Sequence, residues 1–148
     1  MKVRLRAAVK ADLPEILGIN DCVQSHPWTE NQIEEELERP ETFKLVAVDP
    51  LEKIVGYLLA REGPDSAELL MIGVLSIAMR QGVGKRLIRG LLTHLKQRLD
   101  VFLEVSSENK GAVSFYEHLG FSTHLIRRGY YRDGSDALCM KLKLANPQ

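Results

Sequence analysis

The chain has 148 residues, of which 45% are hydrophobic and 27% are charged, and its formal net charge is zero. This length favours a single domain with a buried core, which we predict to span residues 1–148. The balanced charge excludes a strongly basic nucleic-acid-binding protein, and the lack of a long apolar run excludes a membrane-spanning segment.

Cysteine usage indicates a reducing compartment. The two cysteines, Cys22 and Cys139, have no metal-ligand spacing, and we expect both thiols to pack in the core. The first residues of the chain also lack the apolar segment of a signal peptide. Together these features predict a cytoplasmic protein.

Hydrophobic periodicity in the first half of the chain predicts a strand, two helices and a hairpin. The segments are a strand at 2–6, a helix from Asp12 to about Val23, a helix from Thr29 to about Arg39, and strands Phe43–Val48 and Ile54–Ala60. Asp12 and Thr29 each begin a capping-box-like sequence, and Pro14 falls in the first turn of the earlier helix. The acidic run Glu34–Glu38 is expected on the solvated face of the second helix.

The second half of the chain alternates strands and helices. Its segments are an apolar strand that begins near Glu68 and ends in a glycine-bearing turn, a helix with an apolar stripe from Leu87 to Leu99, a strand Val101–Val105, a helix from Asn109 to Gly120, and strands at about Thr123–Tyr131 and Ala137–Leu144. Asp133 and Gly134, between the last two strands, predict a hairpin turn. The whole order, β-α-α-β-β-β-α-β-α-β-β, predicts a mixed sheet with helices on its faces.

The turn Gly82–Lys85 joins an apolar strand to an amphipathic helix. Backbone N–H groups at a helix N-terminus attract anions, so this turn is a candidate phosphate site. It is not a Walker A loop, because that motif needs glycine in place of Met79 and serine or threonine in place of Arg86. It is not a dinucleotide fingerprint, which needs glycine or alanine in place of Leu87. A strand-to-helix turn without a ligand is the alternative.

The stretch Met79–Gly84 resembles the Arg/Gln-x-x-Gly-x-Gly/Ala signature of the GNAT superfamily of N-acetyltransferases, with Met79 in the place of the usual Arg or Gln. The order of elements is also that of the superfamily. A second departure follows Val74, where the family usually has Asp-Pro and this chain has Leu75 and Ser76. The resemblance implies an α/β fold with a mixed, mostly antiparallel sheet of about seven strands, splayed between strands 4 and 5 and flanked by about four helices.

Within the superfamily, the chain is most similar to RimI-type enzymes, which acetylate the N-terminal alanine of a ribosomal protein. The matching segments are His26–Glu30, Leu103–Val105 followed by Asn109, Phe115–Phe121 and Ile126–Tyr131. The resemblance implies a cytoplasmic, acetyl-CoA-dependent enzyme without a metal. It implies a protein or peptide N-terminus as the acceptor, and a monomer or weak dimer as the active form.

The resemblance also implies which residues hold the coenzyme. In the superfamily, the strand before the glycine turn pairs with the pantetheine arm and donates an N–H toward the acetyl oxygen. Gly73 suits a place where a ligand backbone approaches a strand closely, and a bulge is the alternative. The implied coenzyme-binding residues are Ile72, Gly73, Val74, Arg80, Gln81, Gly82, Val83, Gly84, Lys85 and Asn109.

Two side chains are candidates for proton transfer. Glu104 interrupts the apolar strand Val101–Val105, and its match to the family implies a general base that acts directly or through a water molecule. A carboxylate satisfied by an arginine or by water is the alternative. Tyr116 lies two helical turns after Asn109, and its match implies the general acid that protonates the departing thiolate. A core aromatic side chain is the alternative.

Three aromatic residues, Trp28, Tyr130 and Tyr131, are candidates for lining the acceptor groove, and an ordinary amphipathic strand is the alternative for the two tyrosines. The four histidines have no ligand spacing, so we expect them at the surface or in packing contacts rather than in catalysis.

The chemistry of the acceptor favours a protein N-terminus. An N-terminal α-amine has a pKa of about 7.7–8.0, against about 10.4 for lysine, so a modest base suffices for it. Together with this argument, the resemblance implies acetyl transfer from acetyl-CoA to the N-terminal amine of a protein, by direct attack. The alternatives are a lysine, polyamine or antibiotic acceptor, and a coenzyme-binding module without catalytic activity.

Overall fold

A computed structural model describes residues 2–144 as seven strands and four helices, with two short 3-10 turns. The strands are β1 (Arg4–Ala7), β2 (Thr42–Val48), β3 (Ile54–Glu62), β4 (Ser66–Val74), β5 (Asp100–Ser106), β6 (Ser122–Arg127) and β7 (Ala137–Leu142). The helices are α1 (Leu13–Val23), α2 (Glu30–Glu38), α3 (Val83–His94) and α4 (Lys110–His118). This is the predicted order of elements. The ends of the predicted domain, Met1 and 145–148, lie outside the described residues.

The strands form one sheet in the order β1-β2-β3-β4-β5-β7-β6. Neighbouring strands run antiparallel, except that β4 and β5 run parallel. The parallel contact is short, from the pair Ser66 and Asp100 to the pair Glu68 and Phe102. A register shift then leaves Leu70 of β4 without a partner on β3, and such bulges bend a strand. The predicted mixed sheet, splayed between its fourth and fifth strands, is confirmed.

The sheet carries a hydrophobic core on each face. One core joins α3 and α4 to the sheet, and the other joins α1 and α2 to the first half of the sheet. Strand β3 is buried on both faces: Leu58 belongs to the α3–α4 core, whereas Tyr57 and Leu59 belong to the α1–α2 core. The α3–α4 core contains residues of both β4 and β5, so it packs against the two strands on either side of the gap between them.

Local sequence signals explain most helix ends. Thr29 and Gln32 form the predicted capping box at α2, through bonds of 2.8 and 3.2 Å. Asn109 caps α4 by accepting the Ala112 N–H at 3.2 Å, also as predicted. Asp12 behaves differently, because its carboxylate binds the Arg6 guanidinium and does not cap α1.

Four expectations about exposure and element ends are wrong. Helix α3 ends at His94, so Leu99 lies beyond it, and β6 ends at Arg127 rather than at Tyr131. Glu36 is buried, because Thr42 and Arg61 bind its carboxylate, although the acidic run was expected in solvent. Cys22 is exposed, whereas Cys139 is buried as predicted.

The predicted hairpin turn between the last two strands is a longer loop, residues 128–136. Asp133 and Gly134 lie inside it, in a turn closed by the Gly134 N–H and the Tyr131 carbonyl at 2.9 Å. Gly134 has a φ of 84°, which explains the glycine. The extra residues carry Tyr131 away from the sheet and toward α1.

Candidate active site

A cavity opens where β4 and β5 diverge. It encloses about 820 Å³, within the usual size range of cofactor sites. Four stretches form most of its wall, namely 23–26 after α1, 69–74 on β4, 82–85 at the start of α3 and 103–106 on β5. Asn109, Phe115 and Tyr116 of the α4 region complete it on one side, and Trp28 and Tyr131 on the other.

The glycine turn meets this cavity at the N-terminus of α3. Gly82, the N-cap residue, has a φ of 76°, a left-handed conformation that favours glycine. Gly84 lies against the ring of Phe115, where an added Cβ would be 3.1 Å from Cζ. The two glycines therefore allow a sharp entry into α3 and close packing of α4. The first N–H groups of α3 face no capping side chain at Gly82, so they remain available to an anion.

Nine of the ten residues implied to bind the coenzyme line the cavity. They are Ile72, Gly73, Val74, Arg80, Gly82, Val83, Gly84, Lys85 and Asn109. Gln81 does not line it, because its exposed side chain turns back and donates to the Ile77 carbonyl at 3.1 Å.

Gly73 is required by packing on the α1–α2 face of the sheet. An added Cβ would lie 2.7 Å from Cε1 of Tyr57 and 3.1 Å from Cγ2 of Val23. The neighbouring Gln24 side chain donates to the Ile72 carbonyl at 2.7 Å and to the Tyr57 hydroxyl at 3.2 Å. The bulge alternative is wrong, since the register shift falls at Leu70, whereas the close approach of a ligand stays a prediction.

Glu104 lines the cavity on β5, with its side chain 31% exposed. Its Oε2 atom accepts a bond of 2.8 Å from Nε of Arg127 and one of 3.3 Å from the thiol of Cys139. Side chains alternate along a strand, so Glu104 faces away from Leu103 and Val105, which belong to the α3–α4 core. The carboxylate thus approaches the gap from the opposite face of the sheet.

Tyr116 approaches the gap from the α3–α4 face. Its ring packs edge-on against Phe121, with centroids 5.7 Å apart, and belongs to the α3–α4 core while also lining the cavity. Burial raises the pKa of the Tyr116 hydroxyl well above its ordinary value, so the group holds its proton. Within residues 2–144 the hydroxyl has no hydrogen-bond partner. The two predicted proton-transfer groups therefore reach one cavity from opposite faces.

The rim on the Glu104 side is made from two loops. Trp28 is fixed there by Asn20, which is fully buried and bonds to both the N–H and the carbonyl of Trp28. Tyr131 stacks on His26, and the carboxylate of Asp133 lies 3.4 Å from Nε2 of the same histidine.

Of the three aromatics expected in the acceptor groove, Trp28 and Tyr131 line the cavity. Tyr130 lies outside it, 54% exposed, with the Arg127 guanidinium 5.9 Å from its ring centroid. Burial, and then the negative charge of Glu104, raise the pKa of the Tyr131 hydroxyl, which is consistent with a position close to the carboxylate.

Sequence reasoning missed several residues of the cavity wall. Ser106 shares the face of Glu104 two residues along β5, so strand alternation was a usable signal for it. Its hydroxyl donates to Ser135 at 2.9 Å and so ties the loop after β6 to β5. His26 was expected at the surface or in packing; it packs on Tyr131, and it also lines the cavity. Gln24 gave no local signal, because its contacts with Tyr57 and Ile72 are distant in sequence.

Two further findings concern metals and membranes. Among residues 2–144, no three His, Cys, Asp or Glu side chains are grouped so that they would hold a metal ion. In the same part of the chain, no helix combines the length and the apolar character needed to cross a bilayer.

The cavity joins a helix N-terminus that suits a phosphate to candidate acid and base groups. These are the features of an enzyme that transfers a group from a phosphate-bearing carrier. Residues 12–121 match the model of the acetyltransferase (GNAT) family, and the chain belongs to that family. It is an acetyl-CoA-dependent N-acetyltransferase.

Individual relatives agree with the family assignment. The chain is 33% identical to the ribosomal protein bS18-alanine N-acetyltransferase of Escherichia coli K12, over 90% of this chain and 93% of that protein. It is also 33% identical to the N-alpha-acetyltransferase RimI of Mycobacterium tuberculosis, over 84% of this chain and 81% of that one. The crystal structure of the Escherichia coli ribosomal-protein-S18-alanine N-acetyltransferase has a TM-score of 0.89 to this fold, with 27% identity, and covers 99% of this chain and 97% of that one.

The residues of the cavity suit coenzyme A. The first turn of α3 would hold the diphosphate of this carrier, and Lys85 would add a positive charge beside the N–H groups. Asn109, at the start of α4, offers a polar side chain on the same wall. The bound coenzyme supplies the acetyl group as an activated thioester.

Proposed function

We propose that this enzyme acetylates the N-terminal α-amine of a protein, and that its physiological acceptor is an N-terminal alanine of a ribosomal protein. The observation that carries the proposal is the match over 90% of the chain to an enzyme named for ribosomal protein bS18-alanine acetylation. Relatives with the names of N-terminal acetyltransferases support the same class of acceptor. A ribosomal acceptor places the enzyme in the cytoplasm.

Glu104 is proposed as the general base. It takes a proton from the acceptor ammonium, directly or through a water molecule, so that the amine can attack the acetyl carbon. Its partial exposure and its place on the face that carries Trp28 and Tyr131 support this role, because an acceptor peptide can reach it there. An α-amine needs less help than a lysine, since its pKa is lower by about 2.5 units.

Tyr116 is proposed as the general acid. As the carbon–sulfur bond breaks, it gives its hydroxyl proton to the departing thiolate. The raised pKa supports this role, because the hydroxyl stays protonated at any working pH. The N–H groups at the end of β4, near Ile72 and Val74, are proposed to bind the acetyl oxygen, as in an oxyanion hole.

Coenzyme binding is proposed at the remaining wall residues. The N-terminus of α3 faces the diphosphate with the residues Gly82, Val83, Gly84 and Lys85, and Arg80 adds positive charge beside it.

We propose that 1–148 act as a single acetyltransferase domain, which the single sheet of residues 2–144 supports. The monomeric or weakly dimeric state stays a prediction, which light scattering of the purified protein would check.

The acceptor is tested with short peptides that begin with alanine and contain one internal lysine. Each peptide is assayed with a free N-terminus and with a chemically blocked N-terminus, and the acetylated position is read by fragment mass spectrometry. We expect acetyl incorporation at the α-amine of the free peptides and none on the blocked ones. Equal labelling of the blocked peptides would contradict the proposal and favour the lysine alternative.

The ribosomal acceptor is tested separately in cells. In a strain that lacks this protein, mass spectrometry of ribosomal-protein N-termini should reveal an alanine N-terminus that has lost its acetyl group. Restoring the gene should restore the acetyl group, whereas restoring the Tyr116→Phe variant should not. An unchanged set of ribosomal N-termini would contradict the ribosomal acceptor while leaving the peptide activity intact.

A further inference from the structure

We infer that Arg127 and Cys139 act as positioning residues, which hold the Glu104 carboxylate by one oxygen and leave the other oxygen for the acceptor. This inference rests on the proposed role of Glu104 as the base. It concerns two side chains on β6 and β7 that do not line the cavity and are not among the residues proposed above to bind or react.

The contacts of the carboxylate are strongly asymmetric. Nε of Arg127 lies 2.8 Å from Oε2 of Glu104, and the thiol of Cys139 lies 3.3 Å from the same oxygen. The other oxygen, Oε1, has no hydrogen-bond partner within residues 2–144. A carboxylate that rotates freely can turn either oxygen toward the acceptor. Two hydrogen bonds to the same oxygen stop this rotation, so the other oxygen keeps one direction.

The register of three strands explains how Arg127 reaches Glu104. Cys139 pairs directly with Glu104 across β5 and β7, and with Leu125 across β7 and β6. Arg127 lies two residues beyond Leu125 and therefore on the same face of the sheet. Its side chain must pass over Cys139, and the small size of that residue leaves the path open.

Burial keeps Cys139 in the form that can donate. The residue is 6% exposed, and burial first, then the bond to Glu104, raise the pKa of its thiol. A neutral thiol donates a weak hydrogen bond, whereas a thiolate would repel the carboxylate. The Arg127 guanidinium is steadied from its other side by the ring of Tyr130, 5.9 Å away.

A purely structural role for the ion pair predicts a different result. The side chain of Arg127 is 54% exposed, and exposed ion pairs contribute little to stability. If Arg127 only stabilised the β6 edge, its loss would affect the enzyme in the same way whether or not Glu104 were present. If it acts through Glu104, its loss should matter only when the carboxylate is there.

The test is a double-mutant cycle measured on an alanine-initiated peptide. Arg127→Ala, Glu104→Gln and the double variant are compared by kcat and by the KM values for both substrates, with thermal unfolding as a check on folding. Arg127→Ala should lower kcat on the order of tenfold and leave the KM for acetyl-CoA unchanged, and Arg127→Lys should recover part of the loss. In the Glu104→Gln background, Arg127→Ala should cause no further loss.

Cys139 is tested in the same cycle. Cys139→Ser keeps a donor of similar size and should stay close to the wild type, whereas Cys139→Ala should lower kcat a few-fold, and only when Glu104 is present. The matched control is Arg4→Ala, which removes the arginine of an exposed Arg–Glu pair on β1, far from the cavity. It should leave kcat unchanged.

The outcomes separate this inference from the proposed function. Suppose that Glu104→Gln lowers kcat and that Arg127→Ala lowers kcat by the same factor in the wild type and in the Glu104→Gln background. In that case the positioning role is wrong and Glu104 remains the base. If Arg127→Ala leaves kcat unchanged, the positioning role is wrong as well. If Glu104→Gln itself leaves kcat unchanged, the proposed base is wrong and this inference falls with it.

Discussion

The imidazole of His26 stacks on the phenol ring of Tyr131, with centroids 4.2 Å apart and planes 20° from parallel. This contact joins the segment after α1 to the loop between β6 and β7. The same histidine lies 3.4 Å from Asp133, and Ser106 binds Ser135 of that loop. The rim of the cavity on the Glu104 side therefore consists of two loops that contact each other.

Loss of this stack should weaken acceptor binding. His26→Ala is expected to raise the KM for an alanine-initiated peptide roughly fivefold, because an aromatic pair contributes about 1 kcal/mol. The KM for acetyl-CoA should not change, since that substrate is proposed to bind at the opposite wall of the cavity. His118→Ala is the control, because His118 is exposed on α4 and its ring bonds to the Ser114 carbonyl of the same helix. A peptide KM that is the same in wild type and His26→Ala would show that the rim does not hold the acceptor.

The phenol of Tyr116 should be essential for turnover and insensitive to ordinary alkaline pH. Tyr116→Phe should lower kcat by about 100-fold, because the departing thiolate loses its proton donor, while acetyl-CoA affinity stays nearly constant. Since burial raises the pKa of this hydroxyl, it should remain protonated above its ordinary pKa of about 10. Activity should therefore show no fall from loss of this proton up to about pH 10. An alkaline fall near pH 8 that disappears in Tyr116→Phe would contradict this role.

Gly73 lines the cavity, and we expect that the stability of the fold also depends on it. Gly73→Ala puts a Cβ 2.7 Å from the ring of Tyr57, which is fully buried, and overpacking of this kind costs about 2 kcal/mol. Gly18→Ala is the control in α1, where an added Cβ meets nothing within 4 Å. It should raise the free energy of unfolding by about 0.7 kcal/mol, through helix propensity alone. Urea unfolding of both variants measures these changes.

Equal effects of the two glycine substitutions would contradict the packing argument. The distinction is useful because both residues are glycine and both lie in regular elements, so composition and propensity treat them alike. The two sites differ in packing, because the Tyr57 ring lies against Gly73 and nothing lies within 4 Å of a Cβ added at Gly18.

The pair of Arg6 and Asp12 should make stability depend on acid pH. The hydrogen bond from Arg6 holds the pKa of the Asp12 carboxyl below its usual value of about 3.9. The ionised Asp12 carboxylate therefore contributes fully to the free energy of unfolding above its unfolded-state pKa. This contribution is lost as the pH falls through the lower pKa of the folded state. At pH 7, Asp12→Asn should lower the free energy of unfolding by about 2 kcal/mol, because it breaks a buried charged hydrogen bond.

The measurement is urea unfolding of wild type and Asp12→Asn at several pH values between 7 and about 3. The difference between the two proteins should shrink as the pH falls. Glu52→Gln is the control, because Glu52 forms an exposed ion pair with Arg4. This substitution should change the free energy of unfolding little at pH 7 or at about pH 3. A constant difference across the range would contradict the assignment of the acid dependence to Asp12.

Local patterns in the sequence predicted most of the fold, because each element carries its own signal. The apolar stripe of α3, the capping box at Thr29 and the N-cap at Asn109 are short-range features, and the structure has all three. The glycine turn and the family motifs then indicated where the cavity lies.

The features that sequence reasoning missed depend on contacts between distant residues. β6 ends early because the next residues follow Tyr131 toward His26, more than a hundred positions back in the chain. Glu36 is buried because Arg61 binds it, 25 residues away. The bond between Arg127 and Glu104 joins two strands that have β7 between them, so no local signal in the sequence encodes it.

The most direct test of this account is a crystal structure of the enzyme with coenzyme A. The account predicts the diphosphate at the first turn of α3, against Gly82–Lys85, and the thiol in the gap between β4 and β5, with Tyr116 on one face and Glu104 on the other. A diphosphate bound elsewhere, or a thiol remote from both side chains, would contradict it.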